Sequence, residues 1–132
     1  MRRTAAYASQ REQFGRPLST NQAVAIRAAE CLPRHEAIRL TAQRAAWVID
    51  TGQEDAARTA ALVAKWWASG AGLRVVHATQ HLYGGIAADV DYPMHRYFLW
   101  GRQIAFSLGS AAAVAADFGA LLPSAPPIGA PR

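Results

Sequence analysis

The sequence predicts an all-α fold, a helix bundle whose first helix is a fragment. Three observations lead there. The chain is 52% apolar with Ala well ahead of the β-branched residues, and Ala gives up no side-chain entropy when the backbone coils. Apolar residues recur at helical spacing through long stretches. Between those stretches lie Gly15 and Pro17, then Gly52, then Gly84 and Gly85, which end helices. At 132 residues the chain is one domain with one core.

Met1 to about Gln13 reads as the end of a helix, because no cap residue precedes its first apolar position. It stops at Gly15 and Pro17. Ser19-Thr20-Asn21-Gln22 matches a capping box, with Ser19 accepting from the amide three residues on and Gln22 reaching back. A long helix is expected from Thr20 to Asp50, closed by Gly52. Pro33 removes one of its backbone donors and predicts a bend near Leu32. Val24, Ala28, Cys31, Ile38, Ala42, Ala45 and Ile49 mark its buried stripe.

A third helix is expected from near Asp55 to about His81, with Leu62, Trp66, Leu73 and Val76 on one face. Gly70 and Gly72 either weaken it or admit a neighbouring helix closely. Pro93 suits the first turn of a fourth helix through Tyr97, Leu99 and Ile104. A short last helix covers Ser110 to Gly119. The bundle is thus assigned to residues 1–120, and 121–132 to a disordered Pro-rich tail.

Composition narrows the function classes. The formal net charge is +5, carried by thirteen Arg and one Lys, Lys65. Twelve of the arginines are spread from Arg2 to Arg102 rather than clustered with aromatics, which disfavours nucleic acid and leaves an anionic small molecule open. Cys31 is the only cysteine, so no internal disulfide forms, and no metal-ligand cluster is present. The start has no signal-peptide apolar core. Ile104 to Ala120 reads as too weakly apolar, and too broken by Gly109 and Asp117, to span a bilayer. A cytoplasmic protein without a membrane role is expected.

Two segments carry more specific chemistry. The first is Arg11-Glu12-Gln13-Phe14-Gly15, followed by Asn21-Gln22. Arg11 ends a helix before a Gly turn, so its guanidinium is free to pair with phosphate oxygens. Phe14 offers a flat apolar face and Gln22 a two-sided amide. The second is His81-Leu82-Tyr83-Gly84-Gly85 through Asp91-Tyr92-Pro93, where Gly84 and Gly85 leave backbone amides unshielded for a ligand. The same residues have ordinary structural readings. Phe14 also reads as a core aromatic and Gln22 as a cap partner. Glu36 with Arg39 reads as a structural pair inside the bundle, and Trp66 and Trp67 as core and surface.

In order and spacing, these segments resemble the R-x-x-F-G…Q and Q-x-x-G-G…Y-P motifs of acyl-CoA dehydrogenases, from about residue 1 to Ser110. The resemblance implies the C-terminal helical domain of such a flavoprotein. It implies that Arg11, Gln13, Phe14, Asn21 and Gln22 form one FAD-facing patch. His81, Gly84 and Gly85 would form another, meeting the cofactor of a neighbouring subunit.

The departures from the pattern matter as much. In many members the base that removes the acidic α-proton of the thioester is a Glu fifteen residues after the Y-P pair, before a Gly. Here that position is Leu108, followed by Gly109, and Leu accepts no proton. Other members carry the base near the start of the first bundle helix, a point this chain is expected to begin beyond. The motif Gln is His81, unless Gln80 serves, and Ala87 and Leu99-Trp100 replace a Gly and an Arg-Asp pair. His95 to Trp100 resembles the heteromeric enzymes of actinobacterial steroid degradation. The resemblance therefore implies a non-catalytic part of a heteromeric acyl-CoA dehydrogenase for a bulky acyl-CoA. It would share FAD with a partner chain and bind that cofactor weakly alone. A fragment of a catalytic subunit and a flavin-free helical interaction module are the alternatives. Open apolar faces near Tyr7, Trp66 and Trp67 predict a homo- or hetero-oligomer.

Overall fold

A computed structural model describes residues 1–124. Five α-helices make the fold: α1 Arg2–Gln10, α2 Gln22–Asp50, α3 Glu54–Tyr83, α4 Met94–Phe106 and α5 Ala111–Leu121. The all-α expectation holds. Two helices are long and two of the remaining three are barely three turns, so α3 is the axis on which α1, α2, α4 and α5 all pack. A 3-10 turn, Leu122–Ser124, follows α5. The rest of the expected disordered tail lies outside the described residues.

The first departure from expectation is at α1, which ends at Gln10 rather than near Gln13. Residues Glu12–Gln13 (β1) and Arg16–Pro17 (β2) form a small antiparallel hairpin, pairing Glu12 with Pro17 and Gln13 with Arg16. Its two-residue loop is Phe14 and Gly15, both left-handed at φ 56° and 75°. Paired positive φ values match the right-handed twist of the flanking strands, so the turn outcompetes another helical turn. Leu18 N–H donates to the Arg11 carbonyl and closes the hairpin.

The capping box is also corrected. Leu18–Thr20 is one 3-10 turn, which carries the start of α2 beyond the reach of Ser19. The Asn21 side chain caps the helix instead, accepting from Ala23 N–H at 3.0 Å. α2 then runs through Pro33 unbroken. Gly52, at φ 67°, turns the chain back into α3.

α2 and α3 pack along most of their length. At the turn end Ala45 and Val48 meet Ala60, with Ala56, Ala57 and Ala64 around them. Ile49, expected in the stripe, is 60% exposed, whereas Val48 is 1% exposed. From Cys31 the buried or half-buried positions are 31, 34, 36, 37, 38, 41, 45 and 48, and through them 31, 34, 38, 41, 45 and 48 run in alternating steps of three and four. That is the 3.5-residue seam of coiled-coil-like packing, here between antiparallel neighbours, and a final step of four overshoots it. Ala42 lies off the seam and is exposed as well.

Gly70 and Gly72 admit close neighbours. A Cβ on Gly70 would lie 3.5 Å from Ala111 of α5, and one on Gly72 would lie 3.9 Å from Ile38 of α2. Met94–Leu121 is more apolar than expected, with a mean hydropathy of 1.6 over its best window. The chain nevertheless breaks at 107–110, where Leu108 and Gly109 take φ 60° and 100°. The result is two short helices lying against α3, not one straight rod.

Candidate functional site

The Tyr7 ring stacks on Tyr83 with centroids 4.2 Å apart and planes 21° apart. The Tyr7 hydroxyl reaches the Tyr83 carbonyl at 3.5 Å. Tyr83 is buried and packs with Ala87 and Met94, and Tyr92 lies on the other side. Burial pushes the Tyr83 phenol above its ordinary pKa, so it stays neutral. This cluster pins α1 to the C-terminal end of α3, and everything at the site follows from that contact. Tyr7 is therefore half-buried, correcting the expected open face around it. Trp67 is half-buried too, while Trp66 is 43% exposed.

Beside the tyrosine pair lies a cleft of about 390 Å³ lined by Arg11 and Gln13 from one side and His81, Gly84 and Gly85 from the other. The sequence reading assigned these residues to two patches. The structure brings them into one. Arg11 sits at the C-cap of α1 in extended conformation and is exposed. Gly84 takes φ 65° and ψ −147°, a region open essentially to glycine alone. A Cβ on Gly84 or Gly85 would meet nothing within 4 Å, so the backbone there faces open space that a ligand can enter.

The other three expected residues stand apart from the cleft. Phe14 is at the hairpin tip, 100% exposed, which rules out the core reading. Asn21 spends its side-chain oxygen on the α2 cap. Gln22 is exposed in the first turn of α2. The structure places Gln80 and His81 differently. Gln80 donates to the Ala87 carbonyl at 2.8 Å and holds the 3-10 turn Gly84–Ala88, whereas His81 is exposed and lines the cleft.

Sequence reasoning missed Leu18, Val24, Leu82 and Ile86, the apolar side of the cleft. They lie within or beside the quoted motifs, so proximity to those motifs was the available signal. It also missed Lys65. Its ammonium donates to Ser69 Oγ at 2.6 Å and to the carbonyls of Ile104 and Ala105 at 3.1 and 3.4 Å. Partial burial draws the Lys65 pKa down. Lys65 thus satisfies the C-terminal end of α4, where a cation is favoured, and fixes the turn that carries Leu108. Leu108 is 94% exposed in the left-handed region. Glu36 and Arg39 do pair, at 2.7 Å and 2.9 Å, but on the exposed side of α2 rather than inside the bundle.

The family model for the acyl-CoA dehydrogenase C-terminal domain matches residues 1–116. The chain belongs to the acyl-CoA dehydrogenase family. FadE27, an acyl-CoA dehydrogenase of Mycobacterium tuberculosis, is 40% identical over 114 residues, covering 82% of this chain and 31% of FadE27. The Tcur3481-Tcur3483 steroid ACAD variant shares 52% identity at a TM-score of 0.88, over 93% of this chain and 34% of that one. The ChsE4-ChsE5 complex of M. tuberculosis shares 40% identity at a TM-score of 0.88, over 96% and 34%. An FAD complex among the neighbours superposes at a TM-score of 0.83 with 25% identity. The chain thus spans about a third of the length of the relatives it matches.

Proposed function

We propose that this chain is the non-catalytic, FAD-contacting part of a heteromeric acyl-CoA dehydrogenase that acts on a bulky acyl-CoA of steroid type. The observation that carries the reading is Leu108. It stands in the exposed turn where many family members hold the carboxylate, and an alkyl side chain accepts no proton. The likeness to a steroid ACAD and to the ChsE4-ChsE5 complex supports the heteromer and the substrate class.

The cleft fits the phosphate part of FAD. Arg11 would pair with phosphate oxygens, and the backbone amides at Gly84 and Gly85 would approach them without steric cost. Gln13 and His81 would add polar contacts from the two sides. When bound, FAD supplies the hydride acceptor for the dehydrogenation. The chain's own residues supply anchoring and orientation, and a partner chain would enclose the reacting ring. The cytoplasm is the proposed location.

A second reading, a piece of a catalytic subunit, rests on the chain spanning about a third of its relatives. Flavin content tests the leading reading. In the complex with its partner chain, Arg11→Ala is expected to lower FAD affinity roughly ten- to a hundredfold, the range for a lost charge-assisted contact. Unchanged flavin content removes Arg11 from the site. Substantial dehydrogenation by the unmodified chain without a partner overturns the non-catalytic reading.

A further inference from the structure

A second concave surface lies between α2 and α3, and the flavin reading does not use it. Its walls come from Arg27 and Arg34 on α2 and from Arg74 and His77 on α3, around a trough of about 500 Å³. In each helix the lining residues recur at i, i+3, i+4 and i+7, so each row lies on one face. The middle positions, Cys31 and Ala78, are small, and long side chains flank them on both helices. That size pattern makes the trough, two helical turns or about 10 Å long. Cys31 is 2% exposed, and burial pushes its thiol above the usual range, so the floor is neutral.

The charge is one-sided. Glu30 is the only carboxylate in the lining, and its Oε2 lies 3.8 Å from Arg34. Arg34 also donates to the Glu30 carbonyl, which holds it in place. Arg27 and Arg74 are exposed, and no salt bridge among the described residues involves either. Three guanidinia therefore face one carboxylate in a concave surface, and two of the three are uncompensated. The guanidinium fork matches phosphate oxygens in pairs. The walls offer no Phe, Tyr or Trp on which a nucleobase would stack. Recognition here rests on the anionic oxygens.

We infer that this groove is a binding site for a small phosphate-bearing anion, held along the trough between Arg34 and Arg74 toward one end and Arg27 toward the other. The site is separate from the cleft at Gly84 and Gly85, although His81 borders both, and it does not depend on the flavin reading. The test titrates the intact chain with inorganic pyrophosphate at low ionic strength, followed by calorimetry and phosphorus NMR. Saturable binding is expected. The double variant Arg27→Gln/Arg74→Gln should lose at least about tenfold in affinity, and Arg27→Lys/Arg74→Lys should retain more than the Gln pair. Arg58→Gln, an exposed arginine that lines neither concave surface, should bind as the unmodified chain does. Both groove arginines are exposed, so helix content by circular dichroism should be unchanged. Absence of saturable binding overturns the inference, as does equal binding by the double Gln variant. Loss of binding in Arg11→Gln alone would move the anion to the other cleft and equally overturn it.

Discussion

Gly101 offers the sharpest test of how α3 and α4 are held together. A Cβ built on it would lie 2.3 Å from Val76 Cγ1, 3.2 Å from Val76 Cβ and 3.3 Å from Cγ2. Val in a helix has one strongly preferred χ1 rotamer, so the side chain has little room to rotate away and α4 must move instead. Overpacking of this kind costs about 1–3 kcal/mol. Replacing a helical Gly by Ala returns about 0.5–1 kcal/mol of backbone entropy. The net expectation for Gly101→Ala is a loss of roughly 0.5–2 kcal/mol, read as a fall in the midpoint of urea unfolding at constant slope. Val76→Ala removes both γ-carbons and, alone, should cost about 1–2 kcal/mol by cavity formation. Together the two changes should not add. The double variant should be more stable than the sum predicts by about 1 kcal/mol or more, the coupling that contacting residues show. If Gly101→Ala matches the unmodified chain, or if the double variant is strictly additive, the close α3–α4 approach is wrong.

Two other outcomes follow from single residues. Arg39 donates to Glu36 through two nitrogens and holds its carboxyl below the ordinary value of 4.5, with His35 adding to the effect. A depressed carboxylate contributes stability above its unfolded pKa and loses it as pH falls through the folded pKa. Glu36→Gln should therefore lower stability slightly at neutral pH and flatten its decline below about pH 4.5, measured by thermal melts across pH. A decline as steep as that of the unmodified chain would remove the pair from the acid response. Leu108→Glu, assayed by flavin bleaching with FAD and a partner chain, should restore no turnover, because Leu99, Trp100 and Ala87 also depart from the family's motifs. A positioned base contributes roughly 10²–10⁴-fold in rate, so a rescue would be unmistakable and would refute a drifted site.

The helices themselves were legible because local physics decides them. Ala content, periodic apolar positions and the breaks at Gly52 and Gly84 specify where the chain coils and stops, with errors of a few residues at the ends. Arg11, Gly84 and Gly85 were legible as candidate site residues from their types and spacing, and they line one cleft. Their meeting was not. Arg11 and Gly84 are joined only because Tyr7 stacks on Tyr83, 76 residues away in sequence, and no periodic pattern encodes a contact of that range. The hairpin at Phe14 escaped for the converse reason, since Phe-Gly is a weak turn signal that gains force only when Leu18 closes on Arg11.

The sequence by itself determined a helix-forming chain with an arginine ahead of a Gly turn, two adjacent glycines and an alkyl group where the resembled motif usually has a carboxylate. Those are properties of residue type, and they hold in any conformation. Tertiary structure alone decided that the arginine and the glycines line one cleft, that Gln80 turns inward while His81 faces out, and that Arg27, Arg34 and Arg74 line a second. Each of these depends on how α1, α2 and α3 are placed against one another. That placement is fixed by packing at the tyrosine cluster and the alanine seam, between residues that sequence separation keeps far apart.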